Sequence, residues 1–282
     1  MIKKIAGYDT TEIIDKNDVK IITYKSLNGF KWLKNGFSTR IGGVSDGCFG
    51  KMNLSFTVGD DADTVRRNFE IFGDAFGCTP QNMVYSHQTH TTNVMRVDSS
   101  HKGMGIIKER NYKDIDGIVT NEPGLCLVTS YADCVPLYFV DPVHKAIGLS
   151  HSGWRGTVGN ICRNTVELMK SEFSTKPSEL VTCIGPSICM NCYEVSEDVA
   201  GRFIDVFDKK ECLDIVKPKE NGKFLLNLHM ANYYNMLNSG INPENISMPD
   251  ICTSCNSDFL HSHRASKGQR GGLCAFLEIS LL

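Results

Sequence analysis

The sequence has no apolar run long enough to cross a lipid bilayer. Its longest apolar stretches, such as residues 137–140, are far shorter than the roughly 20 residues that a spanning helix needs. The first residues include two lysines but no apolar run behind them, so a secretory signal peptide is not expected. We therefore predict a cytoplasmic protein without a membrane partner.

The chain also has no large excess of charge of either sign. Thirty Lys and Arg residues face thirty-two Asp and Glu residues, which leaves a net charge of −2. Proteins that bind nucleic acid mainly through its phosphates need a basic surface, and this composition offers no general one. Nucleic acid is not expected as a partner, and small molecules are the expected ones.

Internal repeats, low-complexity segments and convincing linkers are absent from the 282 residues. Hydrophobic residues make up 41% and charged residues 22%, which is enough apolar material for a sizeable core. Without a secretory signal, the twelve cysteines are predicted to be reduced, and most of them to be small buried residues. We predict a single catalytic domain that spans residues 1–282.

The hydrophobic pattern indicates both helices and strands. Apolar side chains recur at helical spacing in residues 61–76, 157–173 and 227–239. Apolar runs predict strands at residues 19–24, 117–120, 125–130, 136–140 and 146–150, and a turn makes the last two neighbours. Because helices and strands do not alternate regularly, we predict an α/β fold of the α+β type, in which helices pack on a mixed sheet in layers.

Three segments place a reactive side chain at a predicted strand end, where a rigid sheet holds functional groups in position. These side chains are His90, Cys134 and His151. Two imidazoles and one thiolate suit Zn²⁺ with a fourth position open for water or substrate, as in catalytic zinc sites. We predict that the three residues are metal ligands, and that Cys134 and His151 also belong to the catalytic centre.

Residues beside this set have competing interpretations. His87 lies three positions before His90, so the two share a face on a helical turn but not on a strand. It is either a ligand or a hydrogen-bonded neighbour of the site. Asp133 can transfer protons, orient a ligating histidine, or simply form a turn. Glu194 is a second, weaker candidate for proton transfer.

Arginine and glycine occur together in three segments that suit an anion. Arg40 is followed by Gly42 and Gly43, Arg155 precedes a predicted helix, and residues 261–272 contain two arginines and a glycine pair. Guanidinium groups bind phosphate, and glycines let backbone amides approach it, although a solvated loop can have the same composition. None of the segments matches the P-loop of nucleoside triphosphatases.

Two Cys-x-x-Cys pairs, Cys189 with Cys192 and Cys252 with Cys255, suggest a zinc ribbon. They lie about sixty residues apart, whereas the pairs of a ribbon are usually separated by ~15–20 residues. On this spacing we do not expect a shared structural zinc site.

Several motifs follow one another along the chain in an order that is similar to one family. They are Phe-Ser-Thr-Arg-Ile-Gly-Gly-Val-Ser, His-Gln-Thr-His, Ala-Asp-Cys-Val-Pro, His-Ser-Gly-Trp-Arg-Gly-Thr and His-Ser-His-Arg. Together they resemble the YfiH-like family, long called laccase-domain or multicopper polyphenol oxidoreductases and now regarded as purine nucleoside phosphorylases. The resemblance covers nearly the whole chain from Gly36 onward.

The resemblance implies one layered domain of the YfiH-like fold, with zinc held by the two histidines and the cysteine named above. It implies phosphorolysis of adenosine, inosine, guanosine and methylthioadenosine, with some adenosine deamination. Arg40, Arg155 and Arg264 would lie near the substrate or phosphate, and Asp133 beside the metal. Of these, Arg155 and Asp133 are the expected catalytic residues, and Arg40 and Arg264 are expected to bind substrate or phosphate.

Three other functions remain open on the residues alone. Two histidines and a cysteine also suit copper, so a copper-dependent polyphenol oxidoreductase is one alternative, although a full laccase needs many more histidines than the eight present. A cysteine hydrolase, with Cys134 as nucleophile, His151 as base and Asp133 as orienting residue, is another. The third is a metal-stabilised binding module without catalytic activity.

Overall fold

The computed structural model of the chain describes residues 2–281, which contain fifteen strands and seven α-helices. The strands are β1 (Thr11–Lys16), β2 (Val19–Tyr24), β3 (Leu33–Ser38), β4 (Met83–Tyr85), β5 (Val94–Arg96), β6 (Gly117–Thr120), β7 (Cys126–Tyr131), β8 (Val135–Asp141), β9 (Ala146–Ser152), β10 (Val181–Ile184), β11 (Glu194–Val195), β12 (Val216–Pro218), β13 (Phe224–Leu226), β14 (Ile246–Ser247) and β15 (Leu273–Ile279). The helices are α1 (Lys25–Asn28), α2 (Ala62–Phe76), α3 (Trp154–Val158), α4 (Ile161–Phe173), α5 (Glu197–Val206), α6 (Lys209–Ile215) and α7 (Leu228–Asn238).

Two six-stranded mixed sheets form the centre of the structure. The first has the strand order β1-β2-β3-β15-β7-β4, with β4 parallel to β7 and the other neighbours antiparallel. The second has the order β14-β10-β8-β9-β6-β5, and its outer pairs are parallel. A small third sheet has the order β11-β13-β12. The predicted pairing of β8 with β9 is confirmed.

Successive residues of the central strands face different hydrophobic cores. In β7, Leu127 belongs to a core shared by the two large sheets, whereas Val128 packs in a core with α2. In β8, Tyr138 faces the first sheet, and Phe139 faces the helices on the other side. Because both faces of each large sheet are covered, the layers follow in the order α2, first sheet, second sheet, and helices α4 and α7.

The predicted α+β class, in which helices pack on a mixed sheet, is confirmed. The mixed sheet is doubled, however, since two such sheets stack face to face. Strands β7 and β8 follow each other in the chain but belong to different sheets, which no local apolar pattern reveals. The extent of the domain, residues 1–282, stays a prediction.

The predicted helices form where capping residues support them. At the start of α2, the side chain of Asp61 accepts a hydrogen bond from the backbone amide of Thr64 at 2.8 Å, and Gly77, with φ of +84°, ends the helix. The second predicted helix is divided into α3 and α4. Asn160, with φ of +57°, lies between them and caps α4 through the amide of Arg163.

Among residues 2–281, no helix is both long and apolar enough to span a membrane. The twelve cysteines are free thiols. Cys78, Cys162 and Cys274 are buried, as predicted.

Burial holds His261 in its neutral form, and its hydrogen bonds decide which ring nitrogen carries the proton. Its Nδ1 accepts from the backbone amide of Gly271 at 3.3 Å, so Nε2 carries the proton and donates to the carbonyl of Met52 at 3.2 Å. Burial lowers the pKa of His261 to about 3, and the charges of Arg40 and Arg270 act in the same direction. Protonation of His261 therefore opposes the folded state.

We expect the unfolding free energy to fall below pH 6.5, because the unfolded chain then binds a proton at His261 that the folded chain refuses. This single group should cost about 2 kcal/mol between pH 7 and pH 5. Urea unfolding of the wild type and of His261→Gln at several pH values measures the effect. The variant should lose less stability on acidification than the wild type, and equal pH slopes for the two proteins would contradict the assignment.

Candidate metal centre and active site

The ends of neighbouring strands bring His90, Cys134 and His151 together. His151 lies in β9 and pairs with Pro136 of β8, Cys134 directly precedes β8, and His90 lies in the loop after β4. One ligand atom from each lies within 4.8 Å of the other two, and Cys134 Sγ is 3.9 Å from His90 Nε2. The three residues that the sequence singles out as metal ligands therefore share one site.

One buried carboxylate, that of Asp116, organises both histidine-bearing segments. It accepts hydrogen bonds from the backbone amides of Thr89, His90 and Thr91 at 3.0, 3.1 and 2.9 Å. It also accepts from His151 Nδ1 at 2.8 Å. Burial raises the pKa of this carboxyl, but His151 and the amides more than offset that effect and hold its pKa below the usual range. An ionised Asp116 thus fixes the loop in which His90 adopts a left-handed backbone conformation, with φ of +64°. Because it binds Nδ1 of His151, it leaves Nε2 of that ring free to bind a ligand.

The thiol and the imidazole beside it shift each other's ionisation. Burial raises the pKa of Cys134, but His151 and His90 more than offset this effect and bring it down to about 6. Burial lowers the pKa of His151, but Cys134 and Asp116 raise it to about 9. At neutral pH, Cys134 is therefore a thiolate, the form that coordinates metals and acts as a nucleophile. The residue that orients His151 is Asp116, so the hydrolase alternative was wrong to assign this part to Asp133.

The donor set and the space at this centre fit a metal ion. Two imidazole nitrogens and one thiolate, with no fourth ligand in the same group among residues 2–281, match the catalytic type of zinc site. A Cβ at Gly153 would lie 3.0 Å from Cys134 Sγ and 3.0 Å from His90 Cδ2, so a side chain at this position would fill the space beside the ligands.

Two carboxylates that the sequence suggests for proton transfer are engaged by other groups. Asp133 is buried, has φ of +89°, and accepts from Thr253 Oγ1 at 2.6 Å and from the backbone amide of Arg264 at 2.7 Å. The carboxylate of Glu194 pairs with Lys219. Asp133 thus joins two loops beside Cys134, and the carboxylate that contacts a histidine of the site is that of Asp116.

The arginines predicted to bind substrate or phosphate lie at different places. Arg155 and Arg264 are exposed and lie over aromatic rings, with guanidinium carbons 4.2 Å from the centroid of Trp154 and 5.1 Å from that of Tyr193. The half-buried Arg40 donates to the carbonyls of two loop residues outside the metal centre, at 2.8 Å each. The structure does not bring these three together.

A pocket of about 220 Å³ opens onto the metal centre and contains two arginines that the sequence analysis does not assign to the site. Its lining residues are Ser55, Phe56, Thr57, Tyr85, Ser86, His87, Gln88, His90, Arg110, Ser130, Tyr131, Ala132, Cys134, His151 and Arg270. Arg110 donates from Nε to the carbonyl of Tyr85 at 2.8 Å. Arg270 donates from Nη1 to the carbonyl of Gly271 at 3.0 Å.

Sequence reasoning missed Asp116 and Arg110, and it included Arg270 only as one of two arginines in a segment suited to an anion. Asp116 precedes a buried strand directly, as Asp133 precedes Cys134 near another strand end, so a search of every strand end for carboxylates would have found it. Arg270 lies in the arginine-rich segment 261–272, but nothing local separates it from Arg264. No signal in the sequence marks Arg110.

Over residues 34–280 the sequence matches the family described as multi-copper polyphenol oxidoreductase laccase. The chain belongs to this family. Among its relatives, a purine nucleoside phosphorylase of Bacteroides thetaiotaomicron is 33% identical over 252 residues, 88% of this chain and 92% of the relative. The purine nucleoside phosphorylase YlmD of Bacillus subtilis is 36% identical over 249 residues, 86% of this chain and 87% of the relative.

Two further relatives bear on activity and fold. Adenosine deaminase RL5, from an unknown prokaryotic organism, is 31% identical over 243 residues, 85% of this chain and 90% of the relative. The crystal structure of hypothetical protein YfiH from Bacillus licheniformis has a TM-score of 0.90 at 27% identity and covers 97% of this chain, which covers 100% of that one. The predicted family and the YfiH-like fold are therefore confirmed.

Two of the eight histidines belong to a group of side chains that could hold a metal. Within residues 2–281, His90 and His151 are the histidines that share a group of three or more metal-ligating side chains. Each of the others has a polar contact elsewhere: His87 with Asp114, His101 with Asp98, His144 with Asp141, His229 with Ser187, His261 with Met52 and His263 with Arg270. Within the described residues, the histidines therefore contribute to a single group that could hold a metal.

Proposed function

We propose that this member of the laccase family is a zinc-dependent purine nucleoside phosphorylase. Its substrates would be adenosine, inosine, guanosine and methylthioadenosine with phosphate, and adenosine deamination would be a side activity. The observation that supports this proposal most is that His90, Cys134 and His151 lie together and line a pocket that two arginines also line. The names of the relatives, purine nucleoside phosphorylase and adenosine deaminase, support the substrate class.

In this proposal His90 Nε2, Cys134 Sγ and His151 Nε2 hold the metal. A zinc ion bound there would supply a Lewis acid with one position open to substrate or water. Copper suits the same donors and is the alternative. Asp116 keeps Nδ1 of His151 protonated and so directs Nε2 to the metal.

Phosphorolysis also requires that phosphate be held against the sugar. A phosphate oxygen forms a bond to C1′ of the ribose, the bond from C1′ to the purine nitrogen breaks, and the purine leaves with the bonding electrons and takes up one proton. Guanidinium groups are suited to hold and orient the phosphate dianion. We assign this part to Arg110 and Arg270, because both line the pocket beside Cys134.

We propose more limited roles for the three arginines that the family resemblance suggests. Arg155 and Arg264 would contact the substrate from the side of Tyr193, a ring close enough to Cys134 and to both arginines for their charges to influence its pKa. Arg40 would act on phosphate only if its guanidinium left the two carbonyls that it now contacts. Asp133 would keep Arg264 in place through its backbone amide.

Product analysis by mass spectrometry, with adenosine in the presence and absence of phosphate, tests the function. The proposal expects adenine and ribose-1-phosphate in the presence of phosphate and neither in its absence, with a smaller amount of inosine under both conditions. Inosine as the main product, independent of phosphate, would overturn the phosphorylase assignment and favour a deaminase. An intense blue colour of the purified protein would favour copper.

A cysteine hydrolase is the second candidate, since Cys134, His151 and Asp116 form a continuous thiol–imidazole–carboxylate series. The additional imidazole of His90 beside the thiol favours a metal. A chelator should abolish activity of a metal enzyme, and zinc should restore it. Activity that survives chelation but not thiol alkylation would favour the hydrolase.

We expect Arg270→Ala to raise the KM for phosphate about tenfold or more, because the substitution removes a charged donor from the pocket. The KM for adenosine and the metal content should change far less. Steady-state kinetics at varied phosphate, with Arg40→Ala measured in parallel, distinguishes the two assignments. If Arg40→Ala raises the phosphate KM and Arg270→Ala does not, the phosphate site is the one suggested by the family resemblance.

A further inference from the structure

Four cysteines outside the active site meet at one point, contrary to the expectation from their spacing. Cys189 and Cys192 belong to one short loop, and Cys252 and Cys255 to a second. Their four sulfur atoms all lie within 4.8 Å of one another. The long sequence separation therefore does not keep the pairs apart, because a ribbon brings its pairs together along one hairpin, whereas here the tertiary fold does so.

The sulfur separations suit a single tetrahedral metal ion. With Zn–S bonds of about 2.3 Å, the edges of an ideal tetrahedron of four sulfurs are about 3.8 Å long. The Sγ of Cys255 lies 3.4 Å from that of Cys192 and 4.0 Å from that of Cys189. A disulfide needs about 2.05 Å. The four sulfurs are therefore spaced as ligands around one ion.

Backbone amides already point at the most buried of the sulfurs. Cys252 Sγ accepts from the amides of Cys189 at 3.2 Å and of Cys255 at 3.4 Å. Such donors favour the thiolate over the thiol and are typical of the surroundings of metal-bound cysteine. The cluster borders a surface pocket of about 520 Å³, which gives an ion access from solvent.

Core packing does not account for this grouping. Cys252 is buried, but Cys189 and Cys192 are half-buried and Cys255 is exposed. A different group, Cys78 and Cys126 with Glu278, is completely buried, has three members, and has its carboxylate paired with a lysine.

The two cysteine loops also support the active site. Thr253, between Cys252 and Cys255, donates its hydroxyl to Asp133 at 2.6 Å, and its amide donates to the carbonyl of Ser187 at 3.1 Å. Ile188, just before Cys189, donates its amide to the carbonyl of Asp133 at 3.0 Å. Both loops therefore hold the residue next to Cys134.

We propose that Cys189, Cys192, Cys252 and Cys255 bind one structural Zn²⁺ ion that fastens the two loops behind the active site. With four protein ligands, the ion has no position for a substrate, which distinguishes this site from the three-ligand centre. Its function is to keep Thr253 and Ile188 on Asp133. The proposal does not depend on the activity of the enzyme.

Metal analysis of the purified wild type and of a Cys192→Ser/Cys255→Ser variant tests the proposal. The wild type should contain about two zinc equivalents, the double variant one, and a matched control, Cys48→Ser at an exposed cysteine away from both sites, two. A Cys134→Ala variant should also contain one zinc equivalent, but in the four-cysteine site instead of the three-ligand centre. With Co²⁺ in place of zinc, the strong sulfur-to-metal charge transfer of four thiolates should disappear in the double variant and persist in Cys134→Ala.

A second measurement covers the case in which the double variant does not fold. Native mass spectrometry of the wild type should show zinc that is released when a mercurial reagent titrates the thiols. Hydrogen exchange of residues 187–192 and 252–256 should become at least tenfold faster after release. A wild type that contains no zinc, zinc that Cys134→Ala removes completely, iron in the four-cysteine site, or a mass 2 Da lower because of a disulfide would overturn the proposal.

Discussion

Replacing Cys134 by alanine should remove the metal of the three-ligand centre and lower the turnover of adenosine by roughly 1,000-fold or more, about 4 kcal/mol of transition-state stabilisation. Two imidazoles alone bind zinc weakly, and the thiolate that neutralises part of its charge is lost. The fold should persist, because Cys134 is half-buried in a loop at the edge of the core between the sheets, and alanine removes only its sulfur atom. Metal analysis, circular dichroism and the phosphorolysis assay on the same preparation give the three readouts.

The same experiment includes a test of the non-enzymatic alternative. His151→Ala should behave as Cys134→Ala does, whereas Cys48→Ala, which changes an exposed cysteine, should keep both metal and turnover. If the metal mainly stabilises the fold, the protein should unfold when a metal-ligating side chain is replaced. Full activity of metal-depleted Cys134→Ala would show that the three-residue centre has no part in catalysis.

The substitution Asp116→Asn should weaken metal binding by about 10–100-fold, although Asp116 does not contact the metal. The carboxylate accepts from three backbone amides and from His151 at once. An amide side chain has one oxygen and would place N–H donors against N–H donors. The loop of His90 and the ring of His151 would then lose their fixed orientation.

Asp114→Asn is the matched control for this prediction. Asp114 lies two residues away and accepts from the hydroxyl of Thr89, but its carboxylate has no hydrogen bond to His151. Competition with a chelator, well below the melting temperature of each variant, measures the zinc dissociation constant. An equal loss of affinity in both variants, or none in Asp116→Asn, would contradict the positioning role.

Local patterns predicted more of the fold than of its arrangement. The apolar spacing and the acidic start of residues 61–76 are sufficient for helix α2, because capping and amphipathicity are properties of a few neighbouring residues. The distribution of strands between two sheets was not predictable in this way. Residues 127 and 138 are both buried strand residues. Only the pairing of their strands, β7 with β15 and β8 with β9, decides that the former lies in the first sheet and the latter in the second.

The candidate site shows the same limit. His90, Cys134 and His151 could be selected because they are rare, reactive residue types at strand ends. Asp116 could not be recognised as the common partner of the two histidine-bearing segments without the distances. The four cysteines of the second cluster were even judged unsuitable, since sequence spacing was used as a measure of spatial distance.

By itself, the sequence determined which helices and strands this protein can form, and which of its side chains are chemically able to bind a metal. Hydrophobic spacing and donor chemistry are properties of single residues and their near neighbours, so they can be read without coordinates. The tertiary structure alone decided which donors meet, which arginines face the same pocket, and which carboxylate holds two histidine-bearing segments. These outcomes depend on contacts between residues far apart in the chain, and such contacts form when the two sheets stack.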